Sequence, residues 1–182
     1  MKTLTKFISK SGKEIYFRPP TIKDVLALKN HINQISAEKS FLLFQGVQQT
    51  TKSETSWLKN KLDKISQQKC VYLCAFFKNK LIGASEVTLH DDAKSHVGNF
   101  GIAINKNFRG EGIGSKLMEL VIKESIKNIK GLKIIELEVF SGNTNGINLY
   151  RKFNFVQFGR LPQGLKRRGH YEDAILMYRK VK

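Results

Sequence analysis

Ile102-Ala-Ile-Asn-Lys-Asn-Phe-Arg-Gly-Glu-Gly-Ile-Gly-Ser-Lys116 is the stretch on which the reading of this chain turns. Apolar and small residues from Val97 to Ile104 read as a strand, and a glycine-rich turn follows. Beyond it Ile113, Leu117, Leu120 and Val121 recur at helical spacing, with Met118 and Ile122 beside them. Glycines at 110, 112 and 114 let main-chain amides approach a ligand closely, and the first amides of a helix have no internal partner. Such a helix start attracts anions, Arg109 adds a guanidinium fork, and a pyrophosphate is the natural occupant. Two better-known phosphate patterns do not fit. The dinucleotide fingerprint needs glycine where Ser115 stands, and no Gly-Lys-Ser/Thr falls at Walker spacing. The alternative is a glycine-rich turn that binds nothing.

Working outward, Ile15–Arg18 reads as a short strand stopped by Pro19-Pro20. Thr21, with Asp24 three residues on, starts a helix carrying Val25, Leu26, Leu28 and Ile32. A second helix runs from Ser53 or Thr55 through Trp57, Leu58, Leu62 and Ile65. Val71–Phe77, the turn Lys78-Asn79-Lys80 and Leu81–Leu89 read as an antiparallel hairpin. After the long helix, which Gly131 stops, come a strand Ile134–Phe140, a short helix Thr144–Lys152, and strands Phe155–Phe158 and Ala174–Tyr178. The order is β-α-α-β-β-β-α-β-α-β-β. It predicts one α/β domain over residues 1–182, with a mixed sheet.

The chain has 182 residues and 32 Lys+Arg against 15 Asp+Glu, a net charge of +17. Hydrophobic residues at 41% and aromatics at 10% exclude disorder despite that charge. The apolar run Val71–Phe77 is too short to span a membrane, and the N-terminus has no apolar signal segment, so the expected location is cytoplasmic. Cys70 and Cys74 lie four apart on one strand, roughly 13 Å between Cα atoms, too far for a disulfide. They read as core cysteines. His31, His90, His96 and His170 form no metal spacing, so no metal is expected. The positive excess is +8 in residues 1–91 and +9 in residues 92–182, an even spread that reads as a solvated surface rather than a nucleic-acid groove. The densest cluster, Arg160–Arg168, reads either as an exposed hairpin or as a site for an acidic substrate or RNA.

Arg109-Gly-Glu-Gly-Ile-Gly114 resembles the acetyl-CoA loop of the GNAT superfamily of N-acetyltransferases. Glu138-Val-Phe-Ser-Gly-Asn143 resembles the strand and loop asparagine that follow in that family. Gly146-Ile-Asn-Leu-Tyr150-Arg-Lys-Phe-Asn-Phe155 resembles its Leu-Tyr helix, with Gly146 in place of alanine and Asn154 in place of glycine. The closing Gly169–Met177 is similar to the end of enzymes that acetylate protein N-termini, ribosomal-protein alanine acetyltransferases among them.

The resemblance implies a mixed, mostly antiparallel sheet flanked by helices. It also implies direct attack of an amine on the acetyl thioester of acetyl-CoA within a ternary complex. For the coenzyme it implies main-chain contacts from Ile102, Ala103 and Ile104, and a pyrophosphate site formed by Arg109, Gly110, Glu111, Gly112, Ile113, Gly114 and Ser115. Asn143 is expected on the pantetheine side, with Asn148 or Lys116 assisting. Tyr150 is the implied acid for the leaving thiolate. Glu138 is the implied base, its pKa raised by desolvation in an apolar strand; Glu136 shares its face, and Glu86 is a third option acting through water. The acceptor is an amine on a protein N-terminus, a lysine or a small molecule; a cationic polyamine fits the positive surface less well than an acidic peptide. Two other readings stay open: a basic nucleic-acid-binding module, and a regulatory domain that binds CoA without catalysis. Oligomeric state is not legible.

Overall fold

The computed structural model describes residues 4–43 and 45–181. Met1–Thr3, Phe44 and Lys182, which the single-domain expectation includes, lie outside the described residues. Eight strands form one sheet: β1 Thr5–Ile8, β2 Glu14–Arg18, β3 Cys70–Phe77, β4 Lys80–Leu89, β5 Val97–Ile104, β6 Ile134–Phe140, β7 Val156–Arg167 and β8 His170–Lys180. Their order across the sheet is β1-β2-β3-β4-β5-β6-β8-β7, antiparallel throughout except for β5–β6. Helices α1 Val25–Ala37, α2 Thr51–Ser66, α3 Ile113–Asn128 and α4 Thr144–Lys152 complete the chain. No helix among the described residues is long and apolar enough to cross a membrane.

The central strand β3 is apolar at every position because helices cover both its faces. Val71, Leu73 and Ala75 point into the larger core with Ile113, Leu117, Met118 and Val121 of α3. Cys70, Tyr72, Cys74 and Phe76 point the other way, against Leu28 of α1 and Leu58 of α2. Both cysteines are free and buried. Each fully buried aliphatic side chain contributes about 1.5–3 kcal/mol, and the α3 stripe supplies several of them.

Four elements depart from the sequence expectation. Strand β1 is additional. Its alternating half-buried and exposed residues, including Lys6 and the exposed Ile8, give little apolar signal at an edge. Helix α2 starts earlier, because the Thr50 side chain accepts from Ser53 N at 3.1 Å and so fixes the first turn. Strands β7 and β8 extend far beyond Phe155–Phe158 and Ala174–Tyr178 into one long hairpin. Pro162, Gly159 and Gly164 hide that hairpin in the sequence, and the pairing shifts register twice to accommodate them. The Arg160–Arg168 cluster lies along it. Arg160 pairs with Asp173 at 2.5 Å and Arg167 with Glu172 at 2.6 Å, so part of its charge is answered locally.

His31 in α1 is buried, and neither ring nitrogen has a hydrogen-bond partner among the described residues. Burial holds its imidazole neutral and pushes its pKa from 6.5 down to about 4. Between those values the unfolded chain carries a proton that the native state does not, so stability falls as pH falls. The expected loss between pH 7 and pH 5 is about 2 kcal/mol. Urea midpoints at the two pH values should show that loss in the wild type and a much smaller one in His31→Leu. Equal losses would assign the acid sensitivity to other groups.

Candidate active site

β5 and β6 run parallel for only three residue pairs, Val97–Ile134, Gly98–Ile135 and Asn99–Glu136. Beyond them the strands part. Phe100–Ile104 remain paired with β4 on one side, and Leu137–Phe140 with β8 on the other. The facing edges, in the middle of the sheet, therefore carry unpaired N–H and C=O groups, which an extended amide-bearing ligand can satisfy as an inserted strand. Ile102 and Ile104 turn their side chains into the larger core, so what this edge offers along Ile102, Ala103 and Ile104 is main chain, with the Ile104 carbonyl already accepting from Arg109 Nε at 2.9 Å.

The glycine-rich turn closes the mouth of that wedge. Gly110 and Gly112 adopt positive φ, and Gly112 caps α3 without help from any side chain. Among the described residues no main-chain N–H from Gly110 to Ser115 donates to a protein acceptor; the next residue, Lys116, donates to Gly112 O at 3.1 Å. These free amides sit at the positive end of a 16-residue helix and suit a pyrophosphate. Ile113 is fully buried in the core, so its contribution there is its amide. Glu111 turns away from the turn: its carboxylate accepts from Ser11 N at 2.9 Å and pairs with Lys13, and the Ser11 hydrogen bonds pull its pKa down to about 2. Its side chain anchors the turn to the β1–β2 connection. Lys116 pairs with Glu119.

On the α3–α4 face Tyr150 stacks edge-on to Phe100, the first β5 residue past the point of divergence, with ring centroids 6.0 Å apart. Phe155 packs on the same ring. Burial pushes the Tyr150 phenol up to about 12, and its hydroxyl has no hydrogen-bond partner among the described residues. Asn143 is the α4 N-cap, its Oδ1 accepting from Gly146 N at 3.0 Å. Gly146 has a physical reason here: a Cβ at that position would lie 2.6 Å from Asn143 Nδ2. The asparagine amide group remains available to a ligand, and Asn148 is exposed one turn later.

Glu86, Glu136 and Glu138 share the opposite face of the sheet. Leu137 and Val139 enter the larger core, so the two β6 glutamates alternate outward. Glu86 is cross-strand from Gly101 and is held by Lys61 of α2 at 2.5 Å and by Thr88 at 2.9 Å. Glu136 is held by Lys94 at 2.9 Å; His90 Nε2 lies equally near but makes no hydrogen bond among the described residues. Glu138 makes no ion pair or hydrogen bond among the described residues. The match of its position to the family's strand glutamate is unaffected, but it is exposed, so the desolvation expected of it is absent. The reason is that α1 and α2 cover β3 and β4 but stop short of β6, β8 and β7, leaving Val156, Phe158 and Leu161 exposed as well.

Beside the end of α1 lies a groove of about 880 Å³ lined by Ala37, Glu38, Lys39, Gln45, Lys166 and Arg168. It joins the segment after α1 to the tip of the β7–β8 hairpin, where Arg168 donates to the carbonyls of Glu38 and Lys39. Sequence reasoning reached Lys166 and Arg168 as part of a basic cluster and missed Glu38 and Lys39. Their partners lie about 70 and 130 positions away, and no local pattern announces them.

The model of the acetyltransferase (GNAT) family matches residues 37–155. Over 86 residues, 47% of this chain and 52% of the relative, the sequence is 36% identical to the L-amino acid N-acetyltransferase AaaT of Escherichia coli. The match thus spans about half the length of that curated relative. Among solved structures, an acetyltransferase of the GNAT family from Streptococcus pneumoniae superposes with a TM-score of 0.84 at 26% identity, covering 92% of this chain and 99% of that one. YncA of Salmonella typhimurium, solved with its cofactor acetyl-CoA, superposes with a TM-score of 0.81 at 16% identity over 92% and 94% of the two chains.

Proposed function

Because the chain belongs to the GNAT family of acetyltransferases, we propose that it is a single acetyltransferase domain over residues 1–182 that moves the acetyl group of acetyl-CoA to an α-amine of an amino acid or peptide. The observation that carries this reading is the parting of β5 and β6 directly ahead of the free amides of residues 110–115. One feature admits an extended diamide arm and the other a pyrophosphate, and the strand that borders the first leads directly into the turn that carries the second. Bound acetyl-CoA supplies an activated thioester carbonyl.

The chain's own residues take the remaining tasks. Main chain of Ile102–Ile104 and the Asn143 amide group align the arm; Arg109 and the amides of Gly110–Ser115 hold the phosphates. The amine attacks the carbonyl carbon, the C–N bond forms as the C–S bond breaks, and the leaving thiolate receives a hydrogen bond from Tyr150. Glu138, on the face where an acceptor has access, takes the proton lost by the amine, directly or through water. An exposed carboxylate is a weak base. It suits a terminal α-amine of pKa about 8 better than a lysine amine of about 10.4. The basic lining of the groove beside α1 gives the acceptor's own carboxylate a partner and disfavours a polyamine.

Thiol release from acetyl-CoA, measured against amino acids, N-terminally free acidic and basic peptides and spermidine, tests the acceptor. Turnover with amino acids or acidic peptides is expected; turnover with spermidine alone would overturn the reading. Glu138→Gln should lower kcat about 10- to 100-fold with CoA affinity unchanged. Full activity in that variant would transfer the base role to Glu86. CoA binding without turnover on any amine favours the regulatory-domain reading.

A further inference from the structure

Glu38 is the residue that closes α1, and its carboxylate already occupies the arginine of the phosphate turn. Glu38 Oε2 lies 2.6 Å from Arg109 Nη2, its side chain only 12% exposed. The second oxygen, Oε1, is sealed from solvent with no partner among the described residues. Arg109 Nε donates to Ile104 O at 2.9 Å, so the guanidinium is clamped between the end of β5 and the end of α1. One helical turn earlier a second contact joins the same two segments, from buried Asn105 Nδ2 to Gln34 Oε1 at 2.8 Å. On its other side the Glu38 main chain is held by Arg168 of the β7–β8 hairpin. Glu38 therefore touches the phosphate turn with its side chain and lines the acceptor groove.

A half-satisfied carboxylate sealed beside an arginine is a replaceable partner. A pyrophosphate brings more charge and more acceptor oxygens to the same fork, and it also gains the free amides of residues 110–115. The Glu38 carboxylate and a bound phosphate repel each other unless the carboxylate moves. Building on the acetyl-CoA reading above, we propose that Glu38 is an internal competitor for Arg109, displaced when the coenzyme binds, so that occupancy of the phosphate turn is coupled to the segment lining the acceptor groove. Glu38 acts through Arg109 and is a positioning residue.

Calorimetric titration of CoA at about 0.3 M salt, which screens loose phosphate binding to so positive a protein, tests the coupling. Wild type, Glu38→Gln, Arg109→Gln and the double variant are compared. Glu38→Gln keeps the shape of the side chain and should bind CoA about five- to tenfold more tightly. Arg109→Gln should bind more weakly, and adding Glu38→Gln to it should change affinity less than twofold. Hydrogen exchange supplies a readout independent of affinity: CoA should alter exchange of the amides of residues 36–43 in the wild type but not in Glu38→Gln. Unchanged or weaker binding by Glu38→Gln, or an equal effect in both arginine backgrounds, overturns the competition. Absence of CoA binding by all four proteins, each folded by circular dichroism, overturns the acetyl-CoA reading and the competition with it.

Discussion

Tyr150→Phe is expected to lower kcat about 100- to 1,000-fold while leaving CoA affinity within about twofold. The ring is locked by Phe100 and Phe155, so phenylalanine retains the packing and the substitution removes only the hydroxyl. That hydroxyl has no hydrogen-bond partner among the described residues, so its loss should leave the unfolding midpoint nearly unchanged or slightly raised. The environment also decides which form the role proposed for it can take. With its pKa pushed up to about 12 by burial, the phenol remains protonated at neutral and moderately alkaline pH. An ordinary thiol has a pKa near 8.5, so complete transfer of the proton to the thiolate would be uphill by about 5 kcal/mol. Tyr150 is therefore better suited to donate a hydrogen bond to the developing charge than to surrender its proton, with solvent protonating the released thiolate later. Under that account the Phe variant loses rate across the whole pH range. Wild-type kcat in Tyr150→Phe would show that the thiolate leaves without help from this residue.

What could be read from the sequence was whatever is encoded locally. The strand–turn–helix at 97–128 was legible because burial on one side of α3 writes a 3.6-residue stripe, and because free amides at a helix start require small residues ahead of it. Strand β6 was legible as a strand, since Ile135, Leu137 and Val139 alternate with two glutamates. Whether those glutamates face a covering helix or solvent depends on where α1 and α2 end on the sheet, and no residue of β6 encodes that. The expectation of a desolvated Glu138 failed for this reason. The β7–β8 hairpin stayed hidden because one of its faces is open, which leaves charged residues, glycine and proline at strand positions. Glu38 had no signal at all: its meaning comes from an arginine 71 residues later.

Gly112→Val is expected to weaken CoA binding more than about 100-fold and to lower the unfolding midpoint, two effects with separable origins. Gly112 sits at φ 83° and ψ −9° as the cap of α3, a left-handed conformation that a β-branched residue adopts only under strain of order 1–3 kcal/mol. A Cβ there would also meet Phe7 Cζ at 3.3 Å, tight enough that the ring must yield. Relief of either strain rotates the peptide groups on both sides of residue 112, and those groups are amides proposed to hold the phosphates. Strain and loss of the amide cradle thus fall on the same bonds. Gly110, at φ 79°, has the same conformational demand but nothing within 4 Å of its missing Cβ. The penalties should therefore rank Gly110→Ala below Gly112→Ala, and Gly112→Ala below Gly112→Val. Calorimetry with CoA, alongside thermal unfolding, reads both columns. A Gly112→Val protein that remains folded and binds CoA within about threefold of wild type would mean that the turn's backbone conformation is not what holds the phosphates. Charge on Arg109 and the neighbouring lysines would then have to account for binding, and affinity would fall steeply with salt.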